Sequence, residues 1–324
     1  MRALITGGAG FIGSHLAERL IADSNDVVVL DDLSTGSLRN LERLIGNPRF
    51  EHHVGSIMDD SLVRRVMDGC DVTIHLAAAV GVRLIVERPV HTIETNVHGT
   101  RVVLGAVAAS GCRVLIASTS EVYGKLSRTP FAEDDDLLLG PTCNSRWAYA
   151  CSKALDEWLA LAYARERGMA VTVARLFNTV GPRQTGRYGM VLPTFAAQAL
   201  SGRPITVFGT GNQSRCFAHV RDVVEAIVRL LAAPAARGEV FNVGTTRRVT
   251  MNELAVLVRT AARSSSEIIH VPYGEAYAEG FEDMQQRVPD LRKLERCVGY
   301  KPSTPLATII EDVLADQRSA ADGG

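Results

Sequence analysis

Short runs of apolar, mostly β-branched residues alternate with segments of helical periodicity through the first two-thirds of the chain. The apolar runs predict strands, and the segments between them predict helices. The predicted strands lie at 2–6, 27–31, 50–54, 72–76, 113–117 and 171–176, and the clearest helices lie at 12–22, 89–110 and 149–168. Continuous apolar strands separated by helices build a parallel sheet that is covered on both faces. The pattern therefore predicts a doubly wound α/β fold.

The rhythm changes after about residue 180, where glycine and proline interrupt the chain more often. Further helices are predicted at 219–233, 251–263 and 305–317, at irregular intervals. We interpret residues 181–324 mainly as a smaller C-terminal α/β lobe that binds the substrate. Residues 1–180 form the larger domain of this prediction, and some later segments are expected to return to its sheet.

Charge and cysteine content narrow the class of protein. The formal net charge of the 324-residue chain is −1, so it lacks the basic field that nucleic acids or membrane surfaces attract. Six cysteines are scattered without a CxxC pair or a histidine at ligand spacing, which predicts neither a disulfide framework nor a metal site. No signal peptide or apolar run of membrane length is evident. We expect a cytoplasmic protein without a membrane partner.

The first predicted strand runs into "TGGAGFIG", which places Gly7, Gly10 and Gly13 at the head of the first predicted helix. Glycines at these positions let the turn tighten, let backbone approach a pyrophosphate and let the helix pack on the strand. The helix N-terminus then offers free N–H groups and a positive dipole to the phosphates. Asp31 ends the second strand, where a carboxylate accepts from ribose hydroxyls and repels a 2′-phosphate. The pattern predicts a site for NAD rather than NADP.

The segment "RWAYACSKALDEW" holds Tyr149 and Lys153, one turn apart on one face of a predicted helix. A phenol with a pKa of about 10 is a poor base at neutral pH. A lysine ammonium and the positive nicotinamide ring would stabilise the phenolate, so that Tyr149 can take a proton from a sugar hydroxyl while hydride leaves the same carbon. Thr119, at the end of the fifth predicted strand, could hydrogen-bond the reacting oxygen and relay its proton. We predict that these three residues are catalytic, together with Ser120 and Glu121, which follow Thr119.

These motifs resemble those of the extended short-chain dehydrogenases/reductases, in the group of nucleotide-sugar epimerases, dehydratases and decarboxylases. The resemblance covers nearly the whole chain and rests on "TGGAGFIG", "LDDLSTG" (30–36), "HLAA" (75–78), "NVHGT" (96–100), "STSEVYG" (118–124), "YACSK" (149–153), "RLFNTVGPRQ" (175–184) and "RCFAHVRD" (215–222). It implies a Rossmann-like fold that binds NAD. It also implies a homodimer, in which helices 89–110 and 149–168 form a four-helix bundle with their copies.

The resemblance implies particular contact residues. Those for NAD are Gly7, Gly10, Phe11, Ile12, Gly13, Asp31, Asp32, Ser34, Thr35, Gly36, Ser56, Ile57, Leu76, Ala77, Ala78, Asn96, Tyr149 and Lys153. Ser56 stands where the family usually has an aspartate near the adenine amino group, which implies weaker anchoring of the adenine. The contacts implied for a UDP-sugar are Arg83, Thr119, Ser120, Tyr149, Asn178, Thr179, Arg187, Val191, Leu192, Arg215 and Arg287.

Members of this group begin alike, by oxidising the C4 hydroxyl of the sugar to a ketone. The strip Thr119-Ser120-Glu121, with "PTCNSRWAY" and "RVPDLRKLERCVGYKP", resembles enzymes that act on UDP-glucuronic acid. We rank UDP-glucuronic acid 4-epimerase first, UDP-glucuronic acid decarboxylase second, and UDP-glucose or UDP-N-acetylglucosamine 4-epimerase third. A 4,6-dehydratase is disfavoured because the strip lacks an aspartate. A catalytically silent NAD-binding regulator is the alternative outside enzymes.

The two leading reactions differ in how the substrate carboxylate is treated. A 4-keto uronate loses CO2 when its C5–carboxylate bond stands perpendicular to the carbonyl, and a decarboxylase allows that alignment. An epimerase must prevent it, and the sequence offers Thr119, Ser120 and Thr179, with Arg183 or Arg187, to pin the carboxylate. Glu121 is the awkward member of the strip, because two neighbouring carboxylates repel. It is predicted either to tune the chemistry at C5, protonated or turned toward another partner, or to cap a nearby loop.

Overall fold

A computed structural model of the protein describes residues 1–81, 87–186, 189–276, 284 and 286–322. Its centre is a seven-stranded, all-parallel sheet with strand order β11-β6-β5-β4-β1-β2-β3. These strands are β1 (Arg2–Thr6), β2 (Asp26–Asp31), β3 (Phe50–Val54), β4 (Val72–His75), β5 (Arg113–Thr119), β6 (Val171–Leu176) and β11 (Glu239–Val243). The order reverses between β1 and β4, which is where open α/β sheets bind their ligands.

Helices cover both faces of this sheet and build the lobe beside it. They are α1 (Phe11–Ala22), α2 (Asp60–Met67), α3 (Pro89–Ile93), α4 (Gly99–Ser110), α5 (Ala148–Arg167), α6 (Val191–Leu200), α7 (Val220–Ala232), α8 (Met251–Ala262), α9 (Tyr273–Ala276), α10 (Arg292–Val298) and α11 (Leu306–Asp322). A π-helical turn, Glu94–His98, joins α3 to α4. The predicted helix 89–110 is therefore helical throughout and contains one π-helical turn, and such turns often mark functional positions.

The central strands of the sheet are buried on both faces because they are mostly apolar, whereas the edge strand β3, with the sequence FEHHV, is largely exposed. Val27 and Val29 of β2 pack with α1 and α7 on one face. Val28 and Leu30 of the same strand pack with α2, α4 and α5 on the other. Burying one such side chain contributes about 1.5–3 kcal/mol relative to leaving it exposed. The two apolar layers therefore hold the carboxyl ends of the strands in fixed positions.

The smaller lobe has an apolar core of its own, to which α6, α8 and α11 contribute. Six short strands pair outside the main sheet: β7 (Thr179–Val180) with β10 (Ala218–His219), β8 (Ile205–Phe208) with β13 (Ile268–Val271), and β9 (Ser214–Cys216) with β12 (Arg248–Thr250). Helix α6 lies where the periodicity predicts no helix, and α11 continues past the predicted end at residue 317. Strand β11 lies in the main sheet, whereas the domain boundary at residue 180 stays a prediction.

Among the described helices, none has the length and apolar character needed to cross a lipid bilayer.

Candidate active site

The carboxyl ends of β1, β4, β5 and β6 lie side by side, so the segments that follow them meet at one edge of the sheet. The glycine loop follows β1, and Leu76, Ala77 and Ala78 follow β4. The strip that starts at Thr119 ends β5, and Asn178 follows β6. The parallel sheet therefore brings together segments that are far apart in the chain. This is the edge at which the motifs predict cofactor and substrate.

The glycine loop is packed too tightly for side chains. Gly7 has a φ of +71°, and a Cβ built on it would lie 2.7 Å from the amide nitrogen of Ala77. A Cβ on Gly13 would collide with the carbonyl of Gly7. Gly10 caps α1 without a side-chain hydrogen bond, so the amides of Phe11 and Ile12 in its first turn stay open to a ligand. The loop fits a pyrophosphate laid on a helix N-terminus.

Asp31 shapes the cofactor side of this edge. Its Oδ2 accepts from the amide of Ala9 at 3.0 Å, and its Oδ1 accepts from the amide of Leu33 at 2.8 Å. Burial raises its pKa, and the backbone donors oppose that rise. A Cβ on Gly36 would lie 2.9 Å from Oδ1, so glycine lets the loop close over the carboxylate. Each carboxylate oxygen keeps a lone pair with which a ribose hydroxyl can hydrogen-bond.

The next loop residues support that arrangement. Asp32 Oδ1 accepts from both the amide and the hydroxyl of Ser34, at 2.9 and 2.6 Å, and Thr35 follows in the same turn. Ser56 Oγ accepts from the amide of Met58 at 3.2 Å. The side chain of Ile57 is buried against α4, so only its backbone can face an adenine.

Asn96 lies in the π-helical turn and is fully buried. Its Oδ1 accepts from the amide of Ala79 at 2.8 Å, and its Nδ2 donates to the carbonyl of Ala79 and to Ser152 Oγ. These contacts tie the loop after β4 to helix α5. The structure thus places Asn96 as a support for the cofactor loop, with its amide group engaged by the protein.

The predicted catalytic residues meet at the reacting end. Thr119 ends β5 and interacts with the phenol of Tyr149, which lies in the first turn of α5. Burial and the charge of Glu121 raise the pKa of Tyr149 well above its ordinary value, and Thr119 acts in the opposite direction. Lys153 lies one turn further along α5, with its Nζ donating to Asp156 at 2.8 Å. Burial and the charge of Glu121 favour the protonated phenol, so the positive nicotinamide ring would have to favour the phenolate.

Glu121 is turned toward two arginines. Its Oε2 accepts from Arg146 Nη1, and its Oε1 accepts from Arg287 Nη1 at 3.2 Å. All three side chains are nearly buried, with exposures of 11%, 2% and 9%. Burial alone would raise the pKa of Glu121, but the arginines outweigh it and lower the pKa to about 2. Of the sequence alternatives, the one in which Glu121 turns to another partner matches this geometry.

A second buried network lies under the strip. Glu157 on α5 accepts from Ser118 Oγ and from Arg175, whose Nη2 lies 2.8 Å away. Arg175 Nη1 also donates to the hydroxyl of Tyr123 at 2.9 Å. Ser120, between the two networks, is fully buried. Fully satisfied buried polar networks are rigid, so the strip has little freedom to move.

The residues predicted to bind the substrate lie on both sides of residue 180. Val191 and Leu192 start α6, whose first turn has no side-chain cap and no acidic residue, which suits an anion such as a diphosphate. Asn178 Nδ2 donates to the carbonyl of Cys216 at 3.4 Å, beside Arg215 on β9. The buried hydroxyl of Thr179 has no hydrogen-bond partner among the described residues.

Three further arginines were predicted to contact the substrate: Arg83, Arg183 and Arg187. Arg83 and Arg187 lie outside the described residues. Arg183 is turned away from the reacting end, because its guanidinium donates to Glu18 at 2.6 Å and to Ser14 at 3.2 Å, both on α1. Its amide also donates to Asp316 on α11. The hypothesis that Arg183 pins a substrate carboxylate is therefore not supported.

Sequence reasoning missed Arg146 and Asp156. Arg146 precedes Tyr149 by less than one turn, and Asp156 follows Lys153 by one turn on the same face of α5. The helical spacing of Asp156 was a usable signal for an ion pair. The spacing of Arg146 was not, because its partner Glu121 comes from another element.

Comparison with known proteins agrees with this arrangement. Residues 3–244 match the family described as "NAD dependent epimerase/dehydratase family". The chain is 42% identical over 303 residues to a UDP-N-acetyl-alpha-D-glucosaminuronate decarboxylase of Bacillus cytotoxicus, covering 93% of each chain. It is 37% identical over 305 residues to UDP-glucuronic acid decarboxylase 1 of Danio rerio, covering 94% of this chain and 70% of the relative. The UDP-glucose 4-epimerase of Thermus thermophilus in complex with NAD superposes with a TM-score of 0.86 at 31% identity, covering 99% of this chain and 100% of that one.

Fold and site together define an NAD-dependent enzyme that modifies nucleotide sugars, built on the extended short-chain dehydrogenase/reductase fold. The chain belongs to the NAD-dependent epimerase/dehydratase family. The predicted fold, the family resemblance and the NAD cofactor are thereby confirmed. The individual contact residues stay predictions, which the geometry of the glycine loop, Asp31 and Tyr149 supports.

Proposed function

We propose that this protein is a decarboxylase of a UDP-uronic acid that uses NAD as a recycled cofactor. The observation that carries the proposal is the similarity, over nearly the whole of this chain, to two UDP-uronate decarboxylases. The 4-epimerase that the sequence motifs ranked first becomes the second candidate. It remains a candidate because solved UDP-glucose 4-epimerases have the same fold and because both reactions begin with oxidation of the C4 hydroxyl.

The groups at the reacting end favour a decarboxylase over an epimerase. An epimerase needs a cation that holds the substrate carboxylate in the plane of the carbonyl. Arg183, one of the two cations proposed for that task, is bound to α1 instead. Arg146 and Arg287 are already paired with the carboxylate of Glu121.

The proposed reaction uses Tyr149 twice. Its phenolate, stabilised by Lys153, takes the proton of the C4 hydroxyl. Bound NAD would supply the acceptor for the C4 hydride and the donor that returns it at the end. The C4 ketone makes the carboxylate a β-keto acid, so the C5–carboxylate bond breaks and its electron pair moves to the C4 oxygen. One proton is then added at C5, and Tyr149 returns its proton to the C4 oxygen. The products are CO2 and a UDP-pentose.

The test is a proton NMR time course in D2O with UDP-glucuronic acid and, separately, UDP-N-acetylglucosaminuronic acid, with no NAD added. The expected product is a UDP-pentose that carries one deuterium at C5, formed with release of CO2. Two substrates are used because the relatives differ at C2 of the sugar.

Each other outcome has a defined meaning. A UDP-hexuronic acid isomer that keeps its carboxylate and gains no deuterium at C5 would contradict the decarboxylase and establish the 4-epimerase. Unchanged uronates, with conversion of UDP-glucose or UDP-N-acetylglucosamine, would move the substrate to neutral UDP-hexoses. In each case the variant Tyr149→Phe serves as the inactive control.

We also propose that the protein is a homodimer. Four large apolar side chains on α3 and α5 are exposed: Val90 (66%), Ile93 (43%), Leu155 (43%) and Trp158 (58%). These helices contact one another, so the four side chains lie on neighbouring surfaces that suit a four-helix bundle.

Light scattering during size-exclusion chromatography is expected to give the mass of two chains. Trp158→Glu places a charge in the proposed interface and is expected to give the mass of one chain. Val256→Glu, at an exposed apolar position on α8, should stay dimeric as the matched control. A wild-type protein that elutes with the mass of one chain at micromolar concentration would rule the dimer out.

A further inference from the structure

Asp156 is a carboxylate at the reacting end that the proposed reaction does not use. Its Oδ2 lies 2.8 Å from Lys153 Nζ, and the side chains of both residues are buried, at 1% and 3% exposure. An exposed pair at this helical spacing contributes little, because water screens it. Here both groups are out of water, so the negative charge of Asp156 acts strongly on its surroundings.

Buried side chains support Asp156 from behind. Burial raises the pKa of Asp156, while Lys153 and the hydroxyl of Thr100 on α4 oppose that rise. Thr100 Oγ1 lies 3.0 Å from His75 Nε2, and His75 Nδ1 lies 2.7 Å from Thr6 Oγ1. Burial and the charge of Lys153 lower the pKa of His75 to about 3, so His75 is neutral. Asp156 is therefore the group whose carboxylate contacts Lys153 directly.

The charged groups that face Tyr149 come from three elements. Glu121 and Arg146 come from the turn after β5 and from the segment before α5, and Lys153 and Asp156 come from α5 itself. Glu121 and Asp156 both make the phenol harder to ionise, and Arg146 makes it easier. Glu121 is already paired with two arginines. Asp156, by contrast, pairs with the cation that the chemistry needs for the phenolate.

We propose that Asp156 is a positioning residue for the reaction. As the buried counter-ion of Lys153, it holds that lysine in place, and it keeps Tyr149 protonated until the positive nicotinamide ring is present. The inference rests on the proposed function only for the role of Tyr149 as the base. It makes the removal of a proton from the sugar depend on bound cofactor. Without such control, a phenolate would form in protein that has no acceptor for the hydride.

The test follows the ionisation of Tyr149 directly, with no sugar present. Protein stripped of NAD and protein loaded with NAD are titrated upward in pH while the ultraviolet absorbance of phenolate is recorded. The same titration of Tyr149→Phe is subtracted, which leaves the signal of Tyr149. Because no substrate is used, the result is independent of whether the sugar is a uronate or a neutral hexose.

Asp156→Asn keeps the size of the side chain and an acceptor for Lys153 but removes the charge. The midpoint of the Tyr149 titration in stripped protein is expected to fall by about one pH unit, the size of effect that a neighbouring like charge has. Asp156→Glu keeps the charge and should titrate as wild type. In wild type, loading with NAD should lower the midpoint as well.

Asp156→Ala is the second charge-removing variant, in case the asparagine does not fold, and thermal unfolding identifies the folded variants. A midpoint that is unchanged in the charge-removing variants would overturn the proposal and leave Asp156 a structural residue. A midpoint that rises would also overturn it, since Asp156 would then serve only to aim Lys153 at the phenol. Failure of the uronate assay, with the expected shift in the titration, would contradict the proposed function alone.

Discussion

Replacing Tyr149 with phenylalanine is expected to lower turnover by about 10³-fold, within the range for loss of a general base. The phenol is the only group of the Thr119–Tyr149–Lys153 set that can take the C4 proton and return it, and phenylalanine keeps the ring while removing the hydroxyl. The measurement is the rate of product formation from the UDP-uronate that the NMR time course identifies. Bound NAD, measured by its release on denaturation, should stay near the wild-type amount.

Tyr163→Phe on the same helix is the matched control, because this ring packs against Arg167 away from the reacting end. It is expected to keep wild-type turnover. If Tyr149→Phe were as active as the control, another base would have to do this work. If neither wild type nor variant turned over any UDP-sugar, the NAD-binding regulator would become the better interpretation.

Replacing Glu121 with glutamine is expected to cause the largest loss of stability among the site variants, about 3–5 kcal/mol. The change leaves two buried arginines without their anion, and a neutral amide cannot balance their charge. The measurement is the free energy of unfolding from denaturant titration. Glu51→Gln is the control: Glu51 pairs with Arg2 at the surface, and an exposed pair contributes about 1 kcal/mol or less.

The stabilisation by Glu121 should also depend on pH in a defined direction. Its pKa in the folded protein is about 2, below the ordinary value of 4.5. A lowered pKa contributes stability that is fully present above the ordinary value and is lost as the pH falls toward the folded-state value. The difference in free energy of unfolding between wild type and Glu121→Gln should therefore decrease as the pH falls from 4.5 to about 2. Stability curves that run parallel through this range would contradict the ionised, arginine-paired carboxylate.

Local sequence patterns were enough to predict much of the fold and part of the candidate site. Apolar runs determined five of the six predicted strands, because a strand buried on both faces tolerates few polar positions; the sixth, β3, is a largely exposed edge strand. The helical period placed Lys153 one turn from Tyr149, and the glycine spacing predicted a loop that the structure packs too tightly for a Cβ at Gly7 or Gly13. These features depend on neighbours in sequence, whose geometry the backbone sets.

The ion pairs of Glu121 could not be predicted from local sequence patterns. Its partners Arg146 and Arg287 lie 25 and 166 positions away. The segment before α5 brings Arg146 to Glu121, and the C-terminal part of the chain brings Arg287. The same holds for Asn96, which is used to tie a loop to α5, and for Arg183, which is drawn to α1.

The sequence by itself determined the fold, the family, the cofactor and the residues whose chemistry repeats along one helix or one turn. Only the tertiary structure decided which charges are paired and buried, and hence that Glu121 is an anion and that Lys153 is bound to Asp156. The physical reason is that periodicity and turn chemistry act over a few residues. The pKa of a buried group is instead set by desolvation and by charges that distant segments bring into contact.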